Sequence, residues 1–165
     1  PVLRARANDV TDVDGALVRL SDEMFETMYE AAGIGLAAPQ VGVQQRFFVY
    51  DHGEAGGVIL NPEIAESDGE WAFDEGCLSV PELSFEIVRP KQIHLVGIDL
   101  EGNEVSIEAD ELEARLFQHE LDHLDGILIV DHLDEDQLRE AKRALRERTL
   151  AAGMAAPAGG GPRLF

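Results

Sequence analysis

Apolar residues recur at helical spacing in two stretches of the chain, and the charge pattern of a third stretch is also typical of a helix. Near the N-terminus, four apolar residues lie three or four positions apart: Leu17, Leu20, Met24 and Met28. This spacing predicts a half-buried helix over 15–31, and Gly33 follows it where helices commonly stop. Two further helices are predicted, over 111–124 before Gly126 and over 134–150, where acidic residues come first and basic residues later.

Runs rich in β-branched and aromatic residues predict strands between these helices. The strands cover 46–50, 57–61, 93–100, 105–109 and 127–130. Residues 101–103 are a hairpin signal, and polar and apolar residues alternate along 105–109, so one face of that strand is expected to be exposed. Strands and helices do not alternate regularly, and the pattern therefore predicts an α+β fold with largely antiparallel sheet.

Length and composition narrow the class of protein. The 165 residues suit one domain, predicted over 1–150, and the Ala-, Gly- and Pro-rich residues 151–165 are predicted to be a disordered tail. No apolar run approaches the roughly 20 residues that span a bilayer, so no membrane partner is expected. One cysteine and the lack of a basic-then-apolar leader predict a cytoplasmic protein.

The charge distribution argues against one class of partner and raises another. A net charge of −20 argues against broad binding to nucleic acid. However, five of the 13 Lys and Arg residues fall between positions 139 and 148. Two interpretations stay open: this basic helix docks a polyanion such as the ribosome, or its charges pair with Glu140 and Glu147 and complement the helix dipole.

The strongest chemical signal lies within the second predicted helix, in the sequence QHELDH at 118–123. Residues four apart lie on one face of a helix, so His119 and His123 can bind a single metal ion. Glu120 is offset around the helix axis, which suits a general base acting on water at the metal better than it suits a ligand.

The residues alone leave the third protein ligand open, although catalytic metal sites commonly have three. Cys77 offers a thiolate upstream of the helix, and thiolates bind iron, nickel and zinc strongly. Downstream of the helix, the candidates are Asp131, His132, Asp134, Glu135 and Asp136. His52 and His94 are interpreted as loop or packed histidines rather than ligands.

Three stretches together resemble the signature motifs of bacterial peptide deformylases, which remove the N-formyl group from new polypeptides. In chain order they are GIGLAAPQ at 33–40, EGCLS at 75–79 and QHELDHL at 118–124. The resemblance implies that Cys77, His119 and His123 bind one divalent ion, with Fe²⁺ preferred over Ni²⁺, Co²⁺ or Zn²⁺. It also implies mostly antiparallel sheets packed around a central metal-binding helix, with a C-terminal helix.

The same resemblance implies the catalytic and supporting roles of residues around the ion. Glu120 is the catalytic acid and base, and the Gln40 side-chain amide and the backbone N–H of Leu78 donate to the oxyanion. Glu75 and Arg89 form a structural ion pair behind the cysteine.

A substrate site for N-formyl-methionyl peptides is implied as well. The loop Gly33, Ile34 and Gly35 pairs with the peptide like an added strand. The expected walls of a methionine pocket are Ile34, Phe73, Leu112 and Leu116, and Arg115 is expected at its rim.

Two alternative functions remain at this point. One is an HExxH-type metallopeptidase that cleaves internal amide bonds, which would need neither the thiolate ligand nor Gln40. The other is a non-catalytic, metal-binding, ribosome-associated module, which would have no use for Glu120.

Overall fold

The computed structural model contains three α-helices and seven strands in the backbone that it describes, residues 2–77 and 80–155. Side chains are described for 3–77 and 84–147. The helices are α1 (Gly15–Glu30), α2 (Glu111–Asp125) and α3 (Glu135–Ala155). The strands are β1 (Gly35–Ala37), β2 (Phe47–Asp51), β3 (Gly56–Asp68), β4 (Trp71–Cys77), β5 (Val80–Arg89), β6 (Gln92–Ile98) and β7 (Glu104–Asp110). Short 3-10 turns cover Val2–Arg4, Ala38–Val41 and Ile129–His132.

All strand pairs are antiparallel and belong to two sheets. Five strands form one sheet in the order β1-β2-β3-β6-β7, which leaves β1 at an edge, while β4 pairs with β5 in a separate two-stranded sheet. The predicted hairpin is present as β6 and β7, in which Ile98 pairs with Glu104 across the turn. The predicted α+β fold with largely antiparallel sheet is confirmed.

Helix α1 forms where the periodicity predicts it. Asp14 caps its N-terminus by accepting hydrogen bonds from the backbone N–H groups of Ala16 and Leu17, at 2.9 and 2.8 Å. Met24 and Met28 are fully buried in a core cluster with apolar residues of the larger sheet, Phe47 and Val49 among them. The polar face of the helix remains exposed, as expected of an amphipathic helix.

Helix α2 supplies the centre of a second core cluster. Phe117 and Leu124 are fully buried, and Phe117 packs edge-on against Tyr50 of β2 with ring centroids 4.9 Å apart. The helix ends at Gly126, whose left-handed φ of 74° is readily adopted only by glycine. An added Cβ there would lie 2.7 Å from the carbonyl oxygen of Arg4.

Several sequence-based assignments of secondary structure differ from the structure. The strand predicted over 127–130 is wrong, because Ile129–His132 forms a 3-10 turn. In this turn the Asp131 side chain accepts a hydrogen bond from the N–H of Leu128 at 2.8 Å, and the Asp131 N–H donates to the Leu128 carbonyl. Strands β4 and β5 were not predicted at all, and this omission concerns the site directly.

The chain divides into two units, residues 1–132 and 133–165. The first contains α1, α2 and both sheets, and the second contains α3, which continues to Ala155 rather than ending near position 150. Residues 156–165, where most of the predicted tail falls, lie outside the described residues. In the part of the chain that the structure describes, no helix is both long and apolar enough to cross a membrane.

Candidate active site

Helix α2 and strand β4 bring together three potential metal ligands. His119 and His123 lie on the same face of α2, with ring centroids 4.9 Å apart. Cys77, at the end of β4, places Sγ 3.3 Å from Nε2 of His123. The ligand atoms of all three residues lie within 4.8 Å of one another, the only such cluster of His, Cys, Asp or Glu among the described residues.

The electrostatics of this cluster favour a bound cation. Burial opposes ionisation of Cys77, but hydrogen bonds with His119 and His123 outweigh it and lower the thiol pKa to about 5. Burial likewise opposes the charge on His119, whereas hydrogen bonds to Cys77 and Glu75 raise its pKa to about 10. One thiolate and two imidazoles form a donor set that binds divalent transition metals, so these residues fit such an ion.

Glu75 is the acceptor that holds His119 in place. Nδ1 of His119 donates to Oε2 of Glu75 at 3.2 Å, an arrangement typical of metal-binding histidines. The predicted ion pair with Arg89 is present, with Nε of Arg89 2.6 Å from Oε1 of Glu75. Burial opposes the charge on Glu75, but hydrogen bonds from His119 and Arg89 lower its pKa to about 2.

Arg115 lines the cavity, as expected, but it lies deeper than the rim. It is 3% exposed and donates through Nη1 to Oε1 of Glu75. It also donates to the backbone carbonyls of Trp71 and Ile87. Three acceptors on β4 and β5 thus hold the guanidinium in a buried part of the cavity lining.

Glu120 lies beside the ligand cluster in a buried position at the cavity lining. It is 3% exposed, and its Oε2 has no hydrogen-bond partner within the described part of the chain. Burial raises its pKa above the usual range, partly offset by the nearby histidines His119 and His123. Gly35 of β1 makes this approach possible, because an added Cβ would lie 2.5 Å from Oε1 of Glu120.

Gln40 lies in the turn that follows β1 and borders the same cavity. Its Oε1 accepts a hydrogen bond from the N–H of Ala37 at 2.8 Å, which fixes the orientation of the side-chain amide. Leu78, the other predicted oxyanion donor, lies outside the described residues.

A cavity of about 930 Å³ opens beside these groups. Its lining includes every predicted substrate-binding residue, namely Gly33, Ile34, Gly35, Phe73, Leu112 and Leu116. Leu116 is buried at the base of this set, whereas Ile34, Phe73 and Leu112 are 40–48% exposed. The cavity thus joins an apolar, partly open surface to the ligand cluster.

The remaining histidines have other partners. His52 lies 3.1 Å from Glu113, His94 lies 2.8 Å from the hydroxyl of Ser106, and His132 lies 2.7 Å from Asp122. Asp131, another downstream candidate, binds Arg4 and the N–H of Leu128. The other three candidates, Asp134, Glu135 and Asp136, belong to the second unit.

Sequence reasoning missed the buried position of Arg115 and the strand that carries Cys77. Arg115 precedes His119 by four residues, so the helical spacing that paired the histidines also places Arg115 on their face. The pattern Trp71, Phe73, Glu75, Cys77 has the period of a strand, but a carboxylate and a thiol interrupt its apolar character.

Comparison with known proteins identifies the family of the chain. The family model described as polypeptide deformylase matches residues 1–139. A peptide deformylase of Halothermothrix orenii is 49% identical over 79% of this chain and 86% of that protein. The crystal structure of a peptide deformylase from Legionella pneumophila has a TM-score of 0.87 and 40% identity, covering 94% of each chain. That of an Ehrlichia chaffeensis peptide deformylase in complex with actinonin has a TM-score of 0.84 and 36% identity, covering 89% of this chain and 91% of that one. The chain belongs to the polypeptide deformylase family.

Proposed function

We propose that the protein hydrolyses the N-formyl group of N-formyl-methionyl polypeptides and releases formate. The observation that carries the proposal is the Cys77, His119 and His123 cluster beside Glu120, at the end of a cavity bordered by the sheet edge β1. Family membership supplies the substrate class and the dependence on a metal ion.

The metal would be held by Sγ of Cys77 and by one imidazole nitrogen each of His119 and His123. Because Nδ1 of His119 donates to Glu75, its Nε2 is the nitrogen suited to a metal. When bound, a divalent ion there lowers the pKa of water and polarises the formyl carbonyl. We assign Fe²⁺ as the preferred ion by resemblance to the family, although a thiolate with two imidazoles also accepts Ni²⁺, Co²⁺ and Zn²⁺.

Glu120 is assigned the proton transfers. Its burial and raised pKa allow the carboxylate to take a proton from the attacking water and return it to the leaving amine. Gln40 is assigned as a donor to the developing oxyanion, because the hydrogen bond from Ala37 to Oε1 turns the amide nitrogen away from that backbone. The backbone N–H of Leu78 is the second proposed donor.

The substrate is proposed to bind along β1. As the edge strand of the larger sheet, β1 has one strand partner, β2, and can accept a peptide main chain on its other side. Ile34, Phe73, Leu112 and Leu116 would surround the methionine side chain, since all four line the cavity. Recognition of main chain plus the first side chain suits an enzyme that acts on many polypeptides.

A Glu120→Gln variant tests this mechanism. The amide keeps the size of the side chain but cannot carry the proton, so kcat for formate release from a formyl-Met tripeptide should fall by about 10³-fold. Metal content should stay at the wild-type level. Glu113→Gln is the matched control, because Glu113 lies on the same helix and pairs with His52. A Glu120 variant with wild-type kcat would refute the assignment, and a wild-type protein without formate release would refute the function.

The identity of the metal needs its own experiment. Protein purified without oxygen should contain iron and lose activity in air, as expected of a thiolate beside Fe²⁺. Exchange with Ni²⁺ should then restore formate release. Stoichiometric zinc in the active, anaerobically purified protein would contradict the iron assignment.

We also propose that the second unit binds the ribosome through its basic helix α3. The proposed location of the protein is the cytoplasm. Basic side chains Arg139, Lys142, Arg143 and Arg146 lie along α3, and Arg143 is 3.6 Å from Glu147 in an exposed pair. Reversing the charges of Arg143 and Arg146 should weaken ribosome binding and leave tripeptide kinetics unchanged. We further propose that residues 1–150 form the catalytic domain, so removal of 151–165 should preserve formate release.

A further inference from the structure

One face of β4 carries four side chains that belong to two parts of the site. Trp71, Phe73, Glu75 and Cys77 alternate along the strand and therefore point to the same side. Phe73 borders the cavity, Cys77 is a candidate metal ligand, and Glu75 between them binds His119. Trp71 packs against Phe73, with ring centroids 4.7 Å apart.

Arg115 of α2 contacts the first three of these residues at once. Its Nη1 donates to Oε1 of Glu75, and its Nη2 donates to the backbone carbonyl of Trp71. Its Cζ lies 5.0 Å from the ring centroid of Trp71 and 5.6 Å from that of Phe73. The planar guanidinium thus combines hydrogen bonds in its plane with cation–π contacts to both rings.

Arg115 and His119 together hold the carboxylate of Glu75 from one helix face. Arg115 donates to Oε1, while His119, four residues later, donates to Oε2 at 3.2 Å. Arg89 reaches the same carboxylate from β5 and also binds Asp122. Of the two arginines, Arg115 is the one in contact with the aromatic wall of the cavity.

We propose that Arg115 is a positioning residue that couples the aromatic wall of the substrate cavity to the metal-binding end of β4. The proposal rests on the proposed function, in that the cavity receives the first side chain of the substrate. Loss of Arg115 removes the cation–π contact with the Phe73 ring. It also removes one hydrogen-bond donor to the Glu75 carboxylate, which orients His119. Both substrate recognition and metal retention therefore depend on one buried side chain, which acts through its contacts with Phe73 and Glu75.

Two substitutions separate the two effects. Arg115→Met keeps an unbranched buried side chain but removes the charge and all donors. Arg115→Lys keeps the charge near Glu75 but replaces the planar fork with a single ammonium. Arg46→Met is the matched control: Arg46 is also buried, binds Asp125 and the Pro62 carbonyl, and does not line the cavity.

Three readouts should be measured on each folded variant: the visible absorption of the Co²⁺-loaded protein, the rate of Co²⁺ loss to a chelator, and kcat and KM for formyl-Met tripeptide. In Arg115→Met the absorption bands should shift, Co²⁺ loss should be about tenfold faster and KM should rise about fivefold. In Arg115→Lys the metal readouts should stay within about twofold of wild type, while KM still rises about fivefold. Arg46→Met should lose stability alone.

The proposal is overturned if Arg115→Met folds and matches Arg46→Met in absorption, chelator kinetics and KM, since Arg115 would then be structural only. Should Arg115→Met not fold, the KM of Arg115→Lys decides: an unchanged KM overturns the coupling, and the predicted rise supports it. A wild-type protein that releases no formate would refute the proposed function instead, and the Co²⁺ readouts would still test the link between Arg115 and the metal site.

Discussion

Helix α2 and strand β4 both contribute to the candidate metal centre, but different interactions hold them in place. The backbone of the two histidines of α2 is positioned by the hydrogen bonds of the helix itself, which is buried along Phe117 and Leu124 and ends at Gly126. Among the described strands, β4 pairs with β5 alone, and a two-stranded sheet is marginally stable by itself. Its register also shifts between Gly76 and Cys77.

Glu75 compensates for this weakness of β4. It binds Arg89 of β5 and both Arg115 and His119 of α2, so one carboxylate ties the hairpin to the helix. The two parts of the site therefore differ in what positions them. Local helical hydrogen bonds position the part on α2, whereas a buried ionic network positions the part on β4. Changes to β4 and its network should therefore affect the site more than changes to the end of α2.

The largest effect is expected when β4 loses its ligand. Cys77→Ala leaves two imidazoles, so stoichiometric metal binding should be lost and formate release should fall by at least about 10³-fold. Metal analysis and formate release measure both effects. Ser21→Ala is the control, since Ser21 is a fully buried residue of α1 whose hydroxyl bonds to Val18. Full activity of the Cys77 variant would instead favour a peptidase with a different third ligand.

The next largest effect is expected when the ionic link between β4 and α2 is removed and all three metal ligands are kept. Glu75→Gln removes the carboxylate that pairs with the buried guanidinium of Arg115 and leaves Arg89 with Asp122, which should reduce the free energy of unfolding by about 4 kcal/mol. Metal affinity should fall by about tenfold, because His119 loses its carboxylate acceptor. Urea unfolding and chelator competition measure these changes. Glu147→Gln, which removes an exposed partner of Arg143, should change stability by less than about 0.5 kcal/mol.

In metal-free protein, acid should protonate Glu75 and reversibly weaken the ionic link between β4 and α2. The pKa of Glu75 is about 2 in the folded chain against an ordinary 4.5, so its stabilisation is present above pH 4.5 and is lost as the pH falls toward 2. This shift corresponds to about 3 kcal/mol. Urea unfolding of chelator-treated wild type and Glu75→Gln should give stabilities that converge across this range. A difference that stays constant down to pH 2 would mean that Glu75 is not the titrating group.

The same contrast explains which parts of the molecule could be predicted from sequence. The histidine pair, the helix and its end at Gly126 follow from spacings of four residues or fewer, and all agree with the structure. Strand β4 escaped prediction because Glu75 and Cys77 are buried by partners 14 to 46 positions away. The wrong strand over 127–130 has a different, local cause, since two hydrogen bonds between Leu128 and Asp131 override the β-propensity of the residues there.

The smallest effect is expected at the end of α2. Gly126→Ala places a Cβ at a left-handed φ of 74° and 2.7 Å from the Arg4 carbonyl oxygen. The free energy of unfolding should therefore fall by about 2 kcal/mol. Gly102→Ala separates the two causes, because Gly102 has a φ of 83° and nothing within 4 Å of the added Cβ. The free energy of unfolding of Gly102→Ala should fall by only about 1 kcal/mol.

Formate release by the folded Gly126 variant should stay within about twofold of wild type, because His119 and His123 lie inside the helix and keep their backbone hydrogen bonds. Thermal unfolding and kcat for formyl-Met tripeptide measure the two quantities on the same sample. If Gly126→Ala reduced kcat or metal retention as much as Glu75→Gln does, the histidine geometry would depend on packing at the helix end. The contrast between a self-supported helix and a tied strand would then be wrong.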